Sequence, residues 1–204
     1  MQQPRGIGDF PDWETLYKNE PVESMPWYTT HLDQDLEQAL RDLHISSGAF
    51  LDLGTGPGTQ AAALAGLGFQ VTATDLSTSA IAAAAKWART RGVCITLLQD
   101  DILASQLIGP FDFAFDRGCF HVLPPESRAH YVETLHALLA PEGRLFLKCF
   151  SVKETSNRPP YRFSPDLIAE IFSARFHIET CRESLFDDNG PEKRRALFNI
   201  LKCR

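Results

Sequence analysis

The sequence predicts an α/β chain built on a seven-stranded, mostly parallel sheet that closes with an antiparallel hairpin. Three observations predict it. Short apolar runs alternate with helical stretches through the middle of the chain, the rhythm of strands joined by covering helices. The first run, residues 50–53, leads directly into Gly54, Gly56 and Gly58, a turn through which a strand enters a helix. The chain then ends in two strand-like runs, 176–185 and 196–203, joined by a turn at Asp187, Asp188, Asn189 and Gly190.

Taken in order, residues 1–9 hold two glycines, a proline and little apolar surface, the composition of a terminus that frays. Residues 10–28 are aromatic, and Trp13, Leu16 and Tyr17 share one helical face, so this segment packs onto the rest, over a ligand or over the sheet. Leu32, Leu36, Ala39, Leu40 and Leu43 recur at helical spacing and predict a helix over 32–43. After the first strand, 60–67 reads as a short buried helix stopped by Gly68, and 69–74 as a strand ending at Asp75. An alanine-rich helix follows over 78–90, with Ser77 as N-cap and Gly92 as stop. A third strand, 94–98, ends at Asp100 and Asp101, and 102–107 reads as a short helix. The fourth strand, 111–115, ends at Asp116, Arg117 and Gly118. A helix over 125–139 turns at Glu142 and Gly143 into the fifth strand, 144–150. The polar, proline-broken stretch 151–164 is too irregular for regular structure; its place after the fifth strand predicts a substrate loop. A last helix, 165–173, precedes the hairpin.

With 204 residues, the chain is expected to form one domain with a full core. A net charge of −6 argues against nucleic acid as a partner, because phosphate contacts need a basic face. The cluster Lys193, Arg194, Arg195 reads as a solvated strand entry. The five cysteines, Cys94, Cys119, Cys149, Cys181 and Cys203, are widely spaced without a CxxC pair, which predicts neither a disulfide framework nor a metal site. A reduced, cytoplasmic setting follows. No apolar run approaches the ~18 residues of a membrane span, and no leader pattern opens the chain, so no membrane partner is expected.

The glycine turn is the candidate ligand site, since glycines let the backbone approach a ligand while the following helix points its first N–H groups at it. A dinucleotide fingerprint needs its third glycine where Thr59 stands. Asp52 followed by Gly54-x-Gly56-x-Gly58 instead resembles the first motif of class I S-adenosylmethionine (SAM) methyltransferases, with a Rossmann-like fold. Asp75 lies where a carboxylate accepts both ribose hydroxyls, in either family. A narrower resemblance lies in Phe111 to Phe120, with its Asp116-Arg117-Gly118, followed by Leu123, Pro124, Pro125, Glu126, Arg128, His130 and Tyr131: this resembles the thiopurine, thiol and halide methyltransferase group. Trp13 and Pro26-Trp27 are similar to that group's N-terminal tryptophans, which lie over the cofactor. Cys119, Phe120 and His121 stand where the thiopurine enzymes more often carry aliphatic residues, which argues against a thiopurine acceptor.

The resemblance implies SAM as cofactor, held by Trp27, Asp52, Gly54, Thr55, Gly56, Asp75, Leu76, Asp101, Ile102, Asp116 and Arg117, with residues 1–31 covering it. Trp27 either stacks on the sulfonium end or is a core tryptophan. Asp101 with Ile102 flanks adenine in this reading, Asp100 being the alternative if the register shifts by one. Asp116 faces the transferred methyl or pairs with Arg117. Cys119 reads as packing, because methyl transfer needs no covalent enzyme intermediate. His121 is either a base for a bound thiol or a structural histidine; with Asp116 it forms the expected catalytic pair. The implied reaction is methyl transfer to a small soft nucleophile, a thiol first, by a monomer or homodimer. The alternatives are an O- or N-methyltransferase with His121 as base, and a non-catalytic SAM-binding module.

Overall fold

The computed structural model describes residues 10–155, 160–187 and 193–204. In chain order the elements are α1 (Trp13–Asn19), a 3-10 turn (Val22–Ser24), α2 (Gln34–Asp42), β1 (Ala49–Leu53), α3 (Thr59–Gly66), β2 (Gln70–Asp75), α4 (Thr78–Arg91) and β3 (Thr96–Gln99). They continue as β4 (Phe111–Arg117), a second 3-10 turn (Phe120–Val122), α5 (Pro125–Leu138), β5 (Leu139–Ser151), β6 (Arg162–Phe163), α6 (Pro165–Phe172), β7 (Phe176–Leu185) and β8 (Arg195–Cys203).

The strands lie in the order β3-β2-β1-β4-β5-β8-β7, with the two-residue β6 beside β5. The first five pair in parallel, whereas β8 runs antiparallel to both β5 and β7. The expected sheet and its closing hairpin are therefore present, with β6 as an addition. Strand order reverses between β1 and β4, so their carboxyl ends open a crevice where ligands of such sheets bind.

Alternation along the strands distributes the core to two faces. Phe50, Phe146 and Phe198 point to the face covered by α2 and α3, with Phe50 and Phe146 stacked at 6.1 Å. Leu51, Leu145 and Leu147 point to the other face, against Tyr131 and Leu135 of α5 and Ile168 and Phe172 of α6. Helix ends follow local chemistry. The Ser77 hydroxyl accepts from the Ala80 N–H and Gly92 closes α4 in the left-handed region, while Ser164 caps α6 ahead of Pro165. Gly58 has φ +75°, and a Cβ there would lie 2.6 Å from that of Ala84, so glycine lets α3 pack closely on α4.

One predicted element is absent: residues 102–107 form turns and irregular chain. The Asp101 carboxylate accepts from the Leu103 N–H, Asp100 from Gln106 and the Ser105 hydroxyl from Leu107. These side chains offer backbone donors an alternative to helical bonds. The terminus at 1–9, the middle of the 151–164 loop and the turn beyond Asp187 lie outside the described residues.

Candidate active site

A cavity of about 350 Å³ opens beyond the carboxyl ends of β1, β2 and β4. Its polar end comes from short local segments. Gly56 has φ +54°, and a Cβ there would meet the Tyr17 Oη at 2.5 Å, so a side chain at this position collides with the segment above it. Its N–H donates to Asp75 Oδ2 at 2.9 Å, while the Ser77 N–H donates to Asp75 Oδ1 at 2.9 Å. Each of these oxygens keeps a lone pair for a ligand hydroxyl. Asp52 Oδ2 accepts from the Thr55 hydroxyl at 2.5 Å. Leu76, Asp100, Asp101 and Ile102 complete this end. Asp100 Oδ2 is buried without a donor, whereas Asp101 is exposed; an exocyclic amine is the kind of donor the orphaned oxygen lacks.

The N-terminal segment roofs the cavity. Trp27 donates its indole N–H to the Tyr17 hydroxyl at 3.0 Å and meets Trp13 edge-on at 6.0 Å. Gln60 of α3 ties the following residues down. Its amide group donates to the Thr29 hydroxyl and the His31 carbonyl, and its oxygen accepts from the Asp33 N–H.

The far end is aromatic. The His121 ring lies 4.8 Å from Phe150 and 5.8 Å from Phe186, and those two phenyl rings are 4.7 Å apart. The Arg194 guanidinium lies 5.0 Å over Phe150. Behind Phe186 stand Arg117 at 5.4 Å and Lys148 at 5.7 Å. Both cations are held by a buried network. Arg117 donates to Asp33 Oδ2, the Trp27 carbonyl and the Asp187 carbonyl at 2.9, 3.1 and 2.9 Å. Lys148 donates to both Asp33 oxygens at 3.0 and 2.8 Å and pairs with Asp35 at 2.7 Å.

Burial sets the electrostatics. It pushes the Asp52 carboxyl up to about 7, against the Thr55 bond that favours ionisation, and raises Asp75. His121 is driven down to about 3, first by burial and then by the charges of Arg194 and Arg117. Its imidazole is neutral at ordinary pH, with Nδ1 buried and unpartnered. Burial also raises the Cys119 thiol well above its usual value, keeping it protonated.

Of the sequence-derived site residues, Trp27, Asp52, Gly54, Thr55, Gly56, Asp75, Leu76, Asp101, Ile102, Arg117 and His121 all line the cavity. Asp116 requires a correction: it is fully buried and absent from the cavity wall. Its oxygens accept from the N–H groups of Gly118, Cys119 and Phe120 and from the Tyr131 hydroxyl, so it shapes the turn after β4 and does not face a methyl group. Nor does it pair with Arg117, whose guanidinium goes to Asp33 and two carbonyls. Arg194 is a second correction, since the expected solvated residue lies on the cavity wall. Lys148, Gln60, Phe150 and Phe186 were not singled out, because nothing local marks them. A lysine within the apolar run of β5 was the one available signal, a charge that needs a buried partner.

Residues 9–201 match the sequence profile of the thiopurine S-methyltransferase (TPMT) family. The chain belongs to that family. A thiopurine S-methyltransferase of Vibrio atlanticus is 32% identical over 85 residues, covering 42% of this chain and 39% of its own length. Thiocyanate methyltransferase 1 of Brassica oleracea is 26% identical over 146 residues, covering 69% of this chain and 65% of its own. The matches thus span less than two thirds of either relative. Among solved structures, one from work on conversion of a disulfide bond into a thioacetal group during echinomycin biosynthesis superposes with a TM-score of 0.81 at 25% identity, covering 94% of this chain and 91% of the other. A SAM-dependent methyltransferase of Anabaena variabilis gives 0.78 at 20% identity, covering 100% and 99%, a likeness of fold.

Proposed function

We propose that this TPMT-family chain uses SAM to methylate a small soft nucleophile, a thiol sulfur above all. The observation that carries this is the division of the cavity: a polar end with open carboxylate acceptors, and an aromatic end where the His121 imidazole is neutral. The residues suit the cofactor. Asp75 offers lone pairs to ribose hydroxyls, the orphaned Asp100 oxygen to an adenine amine with Ile102 and Leu76 against the ring, and Gly54 to Gly56 a close backbone approach. Trp13 and Trp27 provide aromatic faces above, which favour a sulfonium cation. When bound, SAM supplies a methyl group on a positively charged sulfur.

The chain's own part is to hold the acceptor in line and exclude water, an effect that reaches ~7–11 kcal/mol in favourable cases. Phe150 and Phe186 form an apolar wall for a soft acceptor. Among the described residues, no lysine and no open carboxylate line the aromatic end, and His121 holds a proton only below about pH 3, so these residues are poorly equipped to deprotonate an alcohol or an ammonium group. A thiol, with a pKa near 8.5, is partly ionised without help. This favours the thiol reading over O- or N-methylation. The setting fits a cytoplasmic protein acting as monomer or homodimer on small molecules; among the described residues, no helix is long and apolar enough to cross a membrane.

The test is release of S-adenosylhomocysteine from SAM with small thiols, sulfide, iodide, a catechol and a primary amine, below and above the thiol ionisation at about pH 8.5. Turnover with thiols that rises with pH is expected. Turnover confined to the catechol or the amine would sink the proposal, and SAM binding without any product would point to a binding module.

A further inference from the structure

The helix that roofs the cavity has little of its own to hold it there. α1 is seven residues long and none of them is fully buried, and a helix that short is unstable in isolation. Asp12 caps it, accepting from the Thr15 N–H at 2.6 Å, but a cap does not dock a helix. Its placement rests on a few contacts, and the most concentrated of them is a single carboxylate. Glu14 Oε2 accepts from the Ser77 hydroxyl at 2.7 Å and the Ser79 N–H at 3.0 Å, and Oε1 accepts from the Ser79 hydroxyl at 2.6 Å. These donors sit at the N-terminus of α4, where the helix dipole favours a negative charge. The bonds to Ser79 and then Ser77 hold the Glu14 carboxyl down at about 2, so it is charged throughout the ordinary pH range.

Ser77 is shared with the polar end of the cavity. Its N–H donates to Asp75 Oδ1, while its hydroxyl donates to Glu14 and accepts from the Ala80 N–H. One residue therefore joins the roof to the carboxylate assigned to the ribose. One turn along α1 from Glu14, Tyr17 reaches over Gly56 and takes the indole N–H of Trp27, so a shift of α1 moves the whole roof.

We propose that Glu14 is a positioning residue that latches α1 over the bound cofactor, gripping Ser77 and Ser79 and so setting how fast the cofactor product leaves. The inference rests on the reading that Asp75 and the glycine turn hold the nucleoside of SAM. All three hydrogen bonds lie at the edge of the roof, on the first turn of α4 and its N-cap, and none of them involves the sheet.

The experiment is stopped-flow tryptophan fluorescence of S-adenosylhomocysteine dissociation from the full chain, with affinity by calorimetry and folding by thermal melts. Glu14→Ala, which preserves helix propensity, is expected to speed dissociation about tenfold, the loss of a charge-assisted cluster at a partly exposed site. Glu14→Gln should fall between it and the unmodified chain, and Ser79→Ala should show a smaller acceleration. Adding Ser79→Ala to Glu14→Ala should change nothing more, because the two residues act as one contact. Melting temperature should stay close to that of the unmodified chain, which separates a latch from a structural prop. Unchanged dissociation in Glu14→Ala, while the unmodified chain binds, would overturn the latch alone; fully additive effects of the two substitutions would do the same. Failure of the unmodified chain to bind would overturn the cofactor reading and the latch with it.

Discussion

The two ends of the cavity are built differently, and the difference explains how they work. The polar end comes from strand ends and the turns that follow them, so the Asp75 carboxylate is held by the backbone N–H groups of Gly56 and Ser77 just beyond β1 and β2. The aromatic end is assembled from His121, Phe150, Phe186 and Arg194, each on a different segment. It is kept in place from behind, by a network of buried Asp33 and Lys148 together with the partly buried Arg117 and Asp35. Backbone geometry can support a site for a ligand of fixed shape. A site for a variable acceptor depends on side chains, which tertiary contacts must hold.

If that contrast is right, the largest effect should come from the network behind the aromatic end. Lys148→Ala leaves the buried Asp33 and the partly buried Asp35 with an incomplete set of cations. It should cost about 3–5 kcal/mol in denaturant unfolding; a change below ~1 kcal/mol would show that the network is not what holds this wall. Next comes the polar end, where Asp75→Asn removes the charge from two backbone hydrogen bonds and from the proposed ribose contacts. S-adenosylhomocysteine affinity by calorimetry should fall about a hundredfold or more, and an unaltered affinity would move the ligand away from β2. Phe186→Ala should then separate the two ends kinetically, raising KM for an apolar thiol about tenfold while leaving cofactor affinity alone. Weakening of both together would mean that the ends are not independent.

The smallest effect is expected at His121. With its imidazole neutral above about pH 3, His121→Gln should alter kcat for a thiol only about threefold or less, and the rate should still rise with ionisation of the thiol. Loss of turnover at every pH would restore His121 as a base. Stability carries a second signature. Between about pH 6.5 and about 3, the unfolded chain binds a proton at this position that the folded chain refuses. His121 therefore contributes a loss of stability as pH falls through that window, and His121→Gln should flatten this part of the melting curve.

Much of the fold was legible because its signals are local. Ser77 before an alanine-rich helix, Gly92 after it and Asp75 at the end of an apolar run each announce an element within a few residues. The helix expected at 102–107 was misread because Asp100, Asp101 and Ser105 capture backbone donors, a competition that apolar periodicity does not register. Asp116 is expected to face the reacting methyl or to pair with Arg117 because it ends a strand beside the crevice. Whether a strand-end carboxylate faces the crevice or folds back on its own turn depends on the next N–H groups and on Tyr131, fifteen residues away.

By itself, the sequence determined the alternation of strands and helices, the glycine turn, the acid at the end of β2 and the closing hairpin, because each rests on the conformational preferences of neighbouring residues. Only the tertiary structure decided that Arg117 binds Asp33 across 84 positions, that Lys148 reaches Asp33 across 115, and that Glu14 grips Ser79 across 65. Charges buried or docked at such separations are selected by the space around them, and that space exists only once the sheet has formed.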